Sequence, residues 1–362
     1  MSVTLVKGYE RDIIVFLGAG ASAEFGCPVT KTFLDMLSRT LGKEEGKFLD
    51  TLRRLHNVKD IEHIIEIIDS LARIDSLSRI SSLHGFFEQH QMNVNFGIGD
   101  DLVGALRGQF EWRRVIELAR TVEKEITDLT FSEYQRRPRH FHEIEEYYRK
   151  FFSAVKRHSR GKSEFEIFTT NYDYVIEDYC SQSGHFLKYA VLDQSPKSPK
   201  TSSNGENYVY TKLHGSLNWV RNRQTKKIEV IDVLFQVPPY NALYEKNEFV
   251  LFGRKPDITR KDEYAAMFDR FKEKLHGASV CIIVGFAFRH EEINEIINDS
   301  LKANNSLELF VVSRTPKRAV RKLVPDLKKR SKLIKEKRIT YVEGSFGKDK
   351  TLTLLETKLN EP

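Results

Sequence analysis

Five consecutive apolar residues, Ile13-Ile14-Val15-Phe16-Leu17, run without a break into Gly18-Ala19-Gly20-Ala21-Ser22. A short run of this kind, rich in β-branched residues, is the pattern of a strand buried on both faces, as in the middle of a parallel sheet. The glycines at its end permit a turn tight enough to lead into the helical pattern of Lys31 to Thr40. Strand, glycine-rich turn and helix in succession open a doubly wound α/β fold. They bring backbone N–H groups to where a pyrophosphate could sit.

The rest of the chain extends this reading. Strand patterns recur at Phe165 to Thr170, Tyr208 to Leu213, Ile228 to Phe235, Ser279 to Val284, Leu307 to Val312 and Ile339 to Val342, with helical segments such as Asp262 to Leu275 and Glu291 to Lys302 between them. This alternation predicts a Rossmann-like, mostly parallel sheet with helices on both faces. Between the first and second strands the character changes. Ile61, Ile64, Ile65, Ile68 and Leu71 recur at helical spacing, as do Val115, Ile116, Leu118, Ala119, Val122 and Ile126, and then Ile144, Tyr147, Tyr148, Phe151, Phe152 and Val155. Residues 35–163 therefore read as a helical insertion subdomain, and residues 1–34 with 164–362 as the Rossmann-like body. Met92 to Gly108 and Ser195 to Asn207 have loop composition.

Composition narrows the function classes. Of 362 residues, 40% are hydrophobic and 30% charged, which is ordinary for a folded chain. No apolar run approaches the roughly 18 residues a spanning helix needs. The N-terminus has no secretory pattern, so a cytoplasmic protein is expected. Cys27, Cys180 and Cys281 are too few and too dispersed for a disulfide framework or a paired-cysteine zinc module, and no metal is expected.

Four segments carry candidate chemistry. The first is the turn Gly18-Ala19-Gly20-Ala21-Ser22. It lacks the acidic residue that an ordinary dinucleotide fingerprint places about 20 positions on, and no Walker loop exists elsewhere. Read alone, it is equally a tight turn without a ligand. The second is Thr169-Thr170-Asn171-Tyr172-Asp173 at a strand end, where Asn and Asp could hold an amide, a ribose or a water, or could cap the helix that follows. The third is Lys212-Leu213-His214-Gly215-Ser216-Leu217-Asn218-Trp219, whose imidazole is either a base or a structural side chain. The fourth is Gly285-Phe286-Ala287-Phe288, followed by Arg289-His290-Glu291-Glu292-Ile293-Asn294.

In this order and wording the four segments resemble the sirtuin family, and more closely the sirtuin-like NAD hydrolases of bacterial antiphage defence in their stand-alone form. The resemblance spans about Ile13 to Ser313. It implies NAD binding as substrate and cleavage of the bond between nicotinamide and ribose. Gly18, Ala19, Gly20 and Ser22 would face the diphosphate. Asn171 would lie at the nicotinamide ribose or a water, Asp173 would approach the carboxamide, and Thr170 and Phe286 would also belong to the cofactor-binding set. His214 would take a proton from a ribose hydroxyl. Gly285, Ala287 and Ser313 would line the adenosine half. The chain departs from the pattern where relatives carry Tyr-Ser at the late turn and an acid at position 290. It also lacks the four-cysteine zinc ribbon of the deacylases. The resemblance therefore favours hydrolysis of free NAD. The alternatives are a non-catalytic NAD- or ADP-ribose-binding module, a protein deacylase or an ADP-ribosyltransferase.

Control is expected through homo-oligomerisation or a separate partner, for which the resemblance suggests a HerA-type ATPase or DNA translocase. The chain carries 58 Lys or Arg against 51 Asp or Glu, a net +7. Residues 317–338 hold eleven cations and two acids, a local +9. That segment is either a solvated helix and loop or a surface for nucleic acid or an acidic protein.

Overall fold

A computed structural model of the chain describes residues 11–27, 30–56, 61, 64, 65, 67, 68, 71, 112–135, 141–159, 164–190, 206–216, 218–230 and 263–361. The loop expected over Met92 to Gly108, most of Ser195 to Asn207, the third strand beyond Val230, Asp262 and Leu217 lie outside the described residues.

Nine strands are described: β1 (Ile13–Leu17), β2 (Glu164–Thr169), β3 (Phe186–Tyr189), β4 (Asn207–Lys212), β5 (Trp219–Arg221), β6 (Ile228–Val230), β7 (Val280–Val284), β8 (Glu308–Ser313) and β9 (Ile339–Glu343). The helices in chain order are α1 (Thr30–Thr40), α2 (Lys43–His56), α3 (Trp112–Gln135), α4 (Phe141–His158), α5 (Val175–Gln182), α6 (Glu263–Gly277), α7 (Glu291–Ala303), α8 (Pro316–Leu323), α9 (Leu327–Lys335) and α10 (Asp349–Asn360). Seven strands form one sheet in the order β3-β4-β2-β1-β7-β8-β9, and every pairing is parallel. β5 and β6 form a separate antiparallel pair. The architecture is the Rossmann-like α/β sheet the sequence predicts. β3 and β5 were not predicted, being only four and three residues long.

The apolar runs take the central places. β1 and β7 are buried almost throughout, as strands covered on both faces must be. The period of two in β2 shows how the two faces differ. Phe168 packs on Phe271 of α6, and Glu166 pairs with Arg270 and Lys274 of the same helix. Phe165, on the opposite face, meets Phe152 of α4 and Tyr208 of β4.

The chain divides into two compact units: residues 1–27, 135–251 and 256–362 form one, and residues 28–134 with 252–255 the other. In the second unit, Phe33, Leu34 and Leu37 of α1, Phe48, Leu49 and Leu52 of α2, Ile61, Ile64, Ile65, Ile67, Ile68 and Leu71, and the stripe from Val115 to Ile126 of α3 are all buried. α4 lies in the first unit, although its stripe reads with the insertion on pattern. Its Phe151 and Phe152 pack on Phe346, Phe165, Tyr179 and Tyr208. A helical period shows that a helix has an apolar face, not which body covers it.

Candidate active site at the carboxyl ends of the strands

β1 is the point where the strand order switches side. β2, β3 and β4 lie on one side of it, with β4 between β2 and β3, and β7, β8 and β9 follow on the other. Ligands in open parallel sheets bind in the crevice outside the strand ends at such a point. All four sequence segments lie there: Gly18 after β1, Thr170 to Asp173 after β2, His214 after β4 and Gly285 after β7, with Ser313 ending β8.

The first and fourth segments pack backbone against backbone. Gly18 N–H donates to Val284 O at 2.8 Å, Gly20 N–H to Gly285 O at 3.0 Å, and Gly285 N–H to Val312 O at 2.9 Å. A Cβ on Gly18 would lie 2.7 Å from Phe286 Cα, and one on Gly20 2.8 Å from Gly285 Cα. Gly285 has φ +63°, and a Cβ there would overlap Ala21 N and the Gly20 backbone. These glycines are required by the close approach of two turns. Of the N–H groups of residues 18–22, only that of Ala19 has no protein partner among the described residues. The cradle left for a diphosphate is narrower than the glycine pattern alone implies.

The second segment is tied to the first by a polar chain. The Asn171 side-chain amide donates to Gly18 O at 3.0 Å and to Ser22 Oγ at 3.2 Å. Both amide protons are spent on the protein, so the group Asn171 can offer a ligand is its carbonyl Oδ1. That acceptor suits a ribose hydroxyl or a water. Ser22 also hydrogen-bonds Asp173. Asp173 Oδ1 accepts the N–H of Val175, the first residue of α5, at 3.1 Å. Burial pushes the Asp173 carboxyl up, while Lys212, Ser22 and the Val175 amide oppose that shift. Thr169 Oγ1 donates to Leu17 O at 2.8 Å and accepts from Asn171 N–H at 2.9 Å. Half-buried Thr170 adds a main-chain bond to Leu17 O.

Lys212 was quoted in the sequence wording and given no role there. Its side chain is 0% exposed. Its ammonium donates to Asp173 O at 2.7 Å, Tyr172 O at 3.4 Å and Glu177 Oε1 at 2.9 Å. The same carboxylate oxygen accepts from Tyr189 O–H at 2.9 Å. A buried charge is tolerable only with partners of this kind. A lysine two residues before a histidine could have prompted the question, but its partner Glu177 gives no pattern that reveals the pair.

His214 is buried, and its ring meets that of His290 edge to face, 4.7 Å between centres. Tyr172 lies 6.2 Å away on another side. Burial first, and the nearby His290 charge second, hold the His214 imidazole well below its usual value. It is therefore neutral and able to accept a proton at pH 7. His290, noted in sequence only as a departure from the pattern, joins the fourth segment to the third.

The residues expected at the adenosine half divide. Phe286 is buried and packs edge-on against Phe16 at 4.9 Å, so it contributes to the core under the turn. Ala287 is exposed. Phe288 holds φ +52°, an uncommon conformation for a bulky residue, and its carbonyl accepts from the Asn294 side chain. Ser313 is half-buried, and its Oγ accepts the Thr315 N–H at 3.2 Å.

Among the described residues no group of three or more His, Cys, Asp or Glu side chains could hold a metal ion. Among them, too, no helix is long and apolar enough to cross a membrane.

Comparison with curated protein sequences gives no match. Solved structures that align with the chain include a Sir2 enzyme at 11% identity, covering 97% of this chain and 93% of that one with a TM-score of 0.41. A Sir2 homologue in complex with NAD aligns at 12% identity, covering 98% and 92%, with a TM-score of 0.40. A mutant Sir2 homologue in complex with ADP-ribose aligns at 14% identity, covering 99% and 96%, with a TM-score of 0.38. The family model for a SIR2-like domain matches residues 166–342, which takes in the second, third and fourth segments and stops short of the Gly18 turn. Over that stretch, just under half of its length, the chain is sirtuin-like and similar to SIR2-like domains.

Proposed function

We propose that the chain is an NAD hydrolase, cleaving NAD with water to nicotinamide and ADP-ribose with release of a proton. The observation that carries this reading is the pairing of neutral, buried His214 with the oriented Asn171 at the ends of adjacent strands β4 and β2. Cleavage of the N-glycosidic bond passes through an oxocarbenium-like state, so catalysis asks for placed dipoles and for a base at a ribose hydroxyl. Asn171 Oδ1 orients a ribose hydroxyl or the attacking water. His214 accepts the hydroxyl proton. Asp173, held by Ser22 and Val175, stands at the carboxamide side. The Ala19 N–H and the Ser22 region meet the diphosphate. On the resemblance, the enzyme acts in the bacterial cytoplasm as an antiphage effector that depletes NAD. It is kept silent until assembly, as a homo-oligomer or with a HerA-type ATPase.

The test is incubation of the purified chain with NAD, alone and with a HerA-type partner, followed by chromatography for nicotinamide and ADP-ribose. His214→Ala and Asn171→Ala each abolish release, while part of the NAD binding survives. If wild type releases no nicotinamide under any condition, hydrolysis is excluded. One observation favours a second reading, a binding module without turnover: most N–H groups of the Gly18 turn are already bonded within the protein. Calorimetry that detects NAD binding, with the ligand recovered intact, selects that reading.

A further inference from the structure

Lys212 and Thr169 form the last paired rung between β4 and β2. Asn171 and His214 each stand two residues beyond it. Past that rung the ladder no longer sets their spacing, so it falls to whatever ties the two turns together. One tie is main-chain, from Leu213 N–H to Thr169 O at 2.8 Å. Another is the Lys212 side chain, which leaves β4 and meets the carbonyls of Tyr172 and Asp173. On the other side, Asn171 is anchored to Gly18 O and Ser22 Oγ of the turn after β1.

An ammonium has three donors and no acceptor. Here its acceptors are Asp173 O at 2.7 Å, Glu177 Oε1 at 2.9 Å and Tyr172 O at 3.4 Å. The ring centres of Tyr174 and Tyr210 lie 5.4 and 5.6 Å from the nitrogen and confine it further. Stability does not account for this arrangement. A buried ion pair is often no better than apolar side chains of similar volume. Glu177 Oε2 is buried without a hydrogen-bond partner among the described residues, which adds a cost. What apolar side chains could not do is orient two successive peptide groups. Those groups join Asn171 to α5, whose first turn carries Glu177. Lys212 thus grips this segment both at its carbonyls and at the helix it leads into.

We infer that Lys212, braced by Glu177, is a positioning residue: it holds the main chain of Tyr172 and Asp173 so that Asn171 Oδ1 faces the same ligand as His214. This rests on the reading of the cleft as an NAD site. It adds to that reading a residue that acts through Asn171 without touching the dinucleotide.

The experiment uses the full chain as Lys212→Met, as the charge-free double variant Lys212→Met/Glu177→Leu, as Asn171→Ala, and as Asn171→Ala combined with the double variant. Three quantities are read: the urea midpoint, kcat for NAD, and the affinity for ADP-ribose by calorimetry, a probe with no nicotinamide to lose. The double variant is expected to regain most of the stability lost in Lys212→Met, yet to keep kcat about 100-fold below wild type, the scale of a misplacement of about 1 Å. It binds ADP-ribose about tenfold more weakly than wild type, the scale of one hydrogen bond. In the Asn171→Ala background the same two substitutions weaken binding no further, because the group they position is gone. A double variant with wild-type kcat and affinity, or one whose loss is as large in the Asn171→Ala background, overturns the inference and leaves hydrolysis standing. A double variant no more stable than Lys212→Met overturns it too, since the pair then serves the fold. If wild type cleaves no NAD, the hydrolase reading fails and the same comparison of ADP-ribose affinities decides alone. Wild type that also fails to bind ADP-ribose rejects both.

Discussion

The ring of His290 stands edge-on to the ring of His214, 4.7 Å between centres, on the first residue before α7. Two imidazoles this close resist carrying charge together. The proposed hydrolysis, which would need neutral His214, is therefore expected to keep its activity below the usual imidazole range near pH 6.5. Replacing His290 by Gln removes the opposing charge, so His214 protonates more readily. The acid limb of the kcat/KM profile then moves to higher pH, and a pH–rate series on wild type and His290→Gln reads the shift.

Stability follows the same proton. His214 is held low by burial and then by His290, and His185 and His158 are held low chiefly by burial. The native state therefore binds fewer protons than the unfolded chain once pH falls through about 6.5. Stability rises with pH across that window and falls as acid is added. Urea unfolding midpoints measured from pH 8 to pH 5 decline below about 6.5, and His214→Gln flattens the decline.

Lys212→Met leaves the Glu177 carboxylate without the buried ammonium that faces it at 2.9 Å. It also removes the tie to Tyr172 O and Asp173 O. The expected loss of unfolding free energy is about 3–5 kcal/mol. Lys212→Met combined with Glu177→Leu recovers a large part of it, because no lone charge remains. Denaturant titrations of the two variants measure the difference.

Gly285→Ala places a Cβ against Ala21 N in a left-handed backbone conformation. Strain and overpacking together cost about 2–5 kcal/mol. Because the displaced neighbour is the Gly18 turn, dinucleotide affinity falls with stability. Gly277→Ala, at the end of α6 with open space around its Cβ position, changes neither. Thermal unfolding with and without NAD distinguishes the two substitutions.

The sheet was legible because buried parallel strands announce themselves as apolar runs. Ile13 to Leu17 and Val280 to Val284 were read within a residue of their bounds. The basic segment was read as helix and loop, and Pro325 lies in the break between α8 and α9. Phe186 to Tyr189 was not read, since four residues carry too little periodicity. α10 was missed as well, with Thr351 among its buried positions. At the candidate site, Asn171 and His214 stood out by residue type and by their place after strands. The Lys212–Glu177 pair and the His214–His290 contact did not, because each joins segments whose proximity is set by the sheet order rather than by spacing along the chain. Phe286 was legible as a turn residue, but not as a core side chain beneath it.

The middle position of β1 has a consequence for how the protein comes to be made. Its pairing with β2 joins residues 152 apart, as in the bond from Thr169 to Leu17, and its contact beside β7 joins residues 267 apart, as between Asp12 and Ser279. On the ribosome, β1 emerges before both of its neighbours and waits for them. Pairings of this sequence separation are slow to form and leave strand edges open to other chains meanwhile. Recombinant yield should therefore respond to chaperone supply and to growth temperature. Fragments that stop before Val284 should accumulate as aggregates rather than as a smaller folded domain.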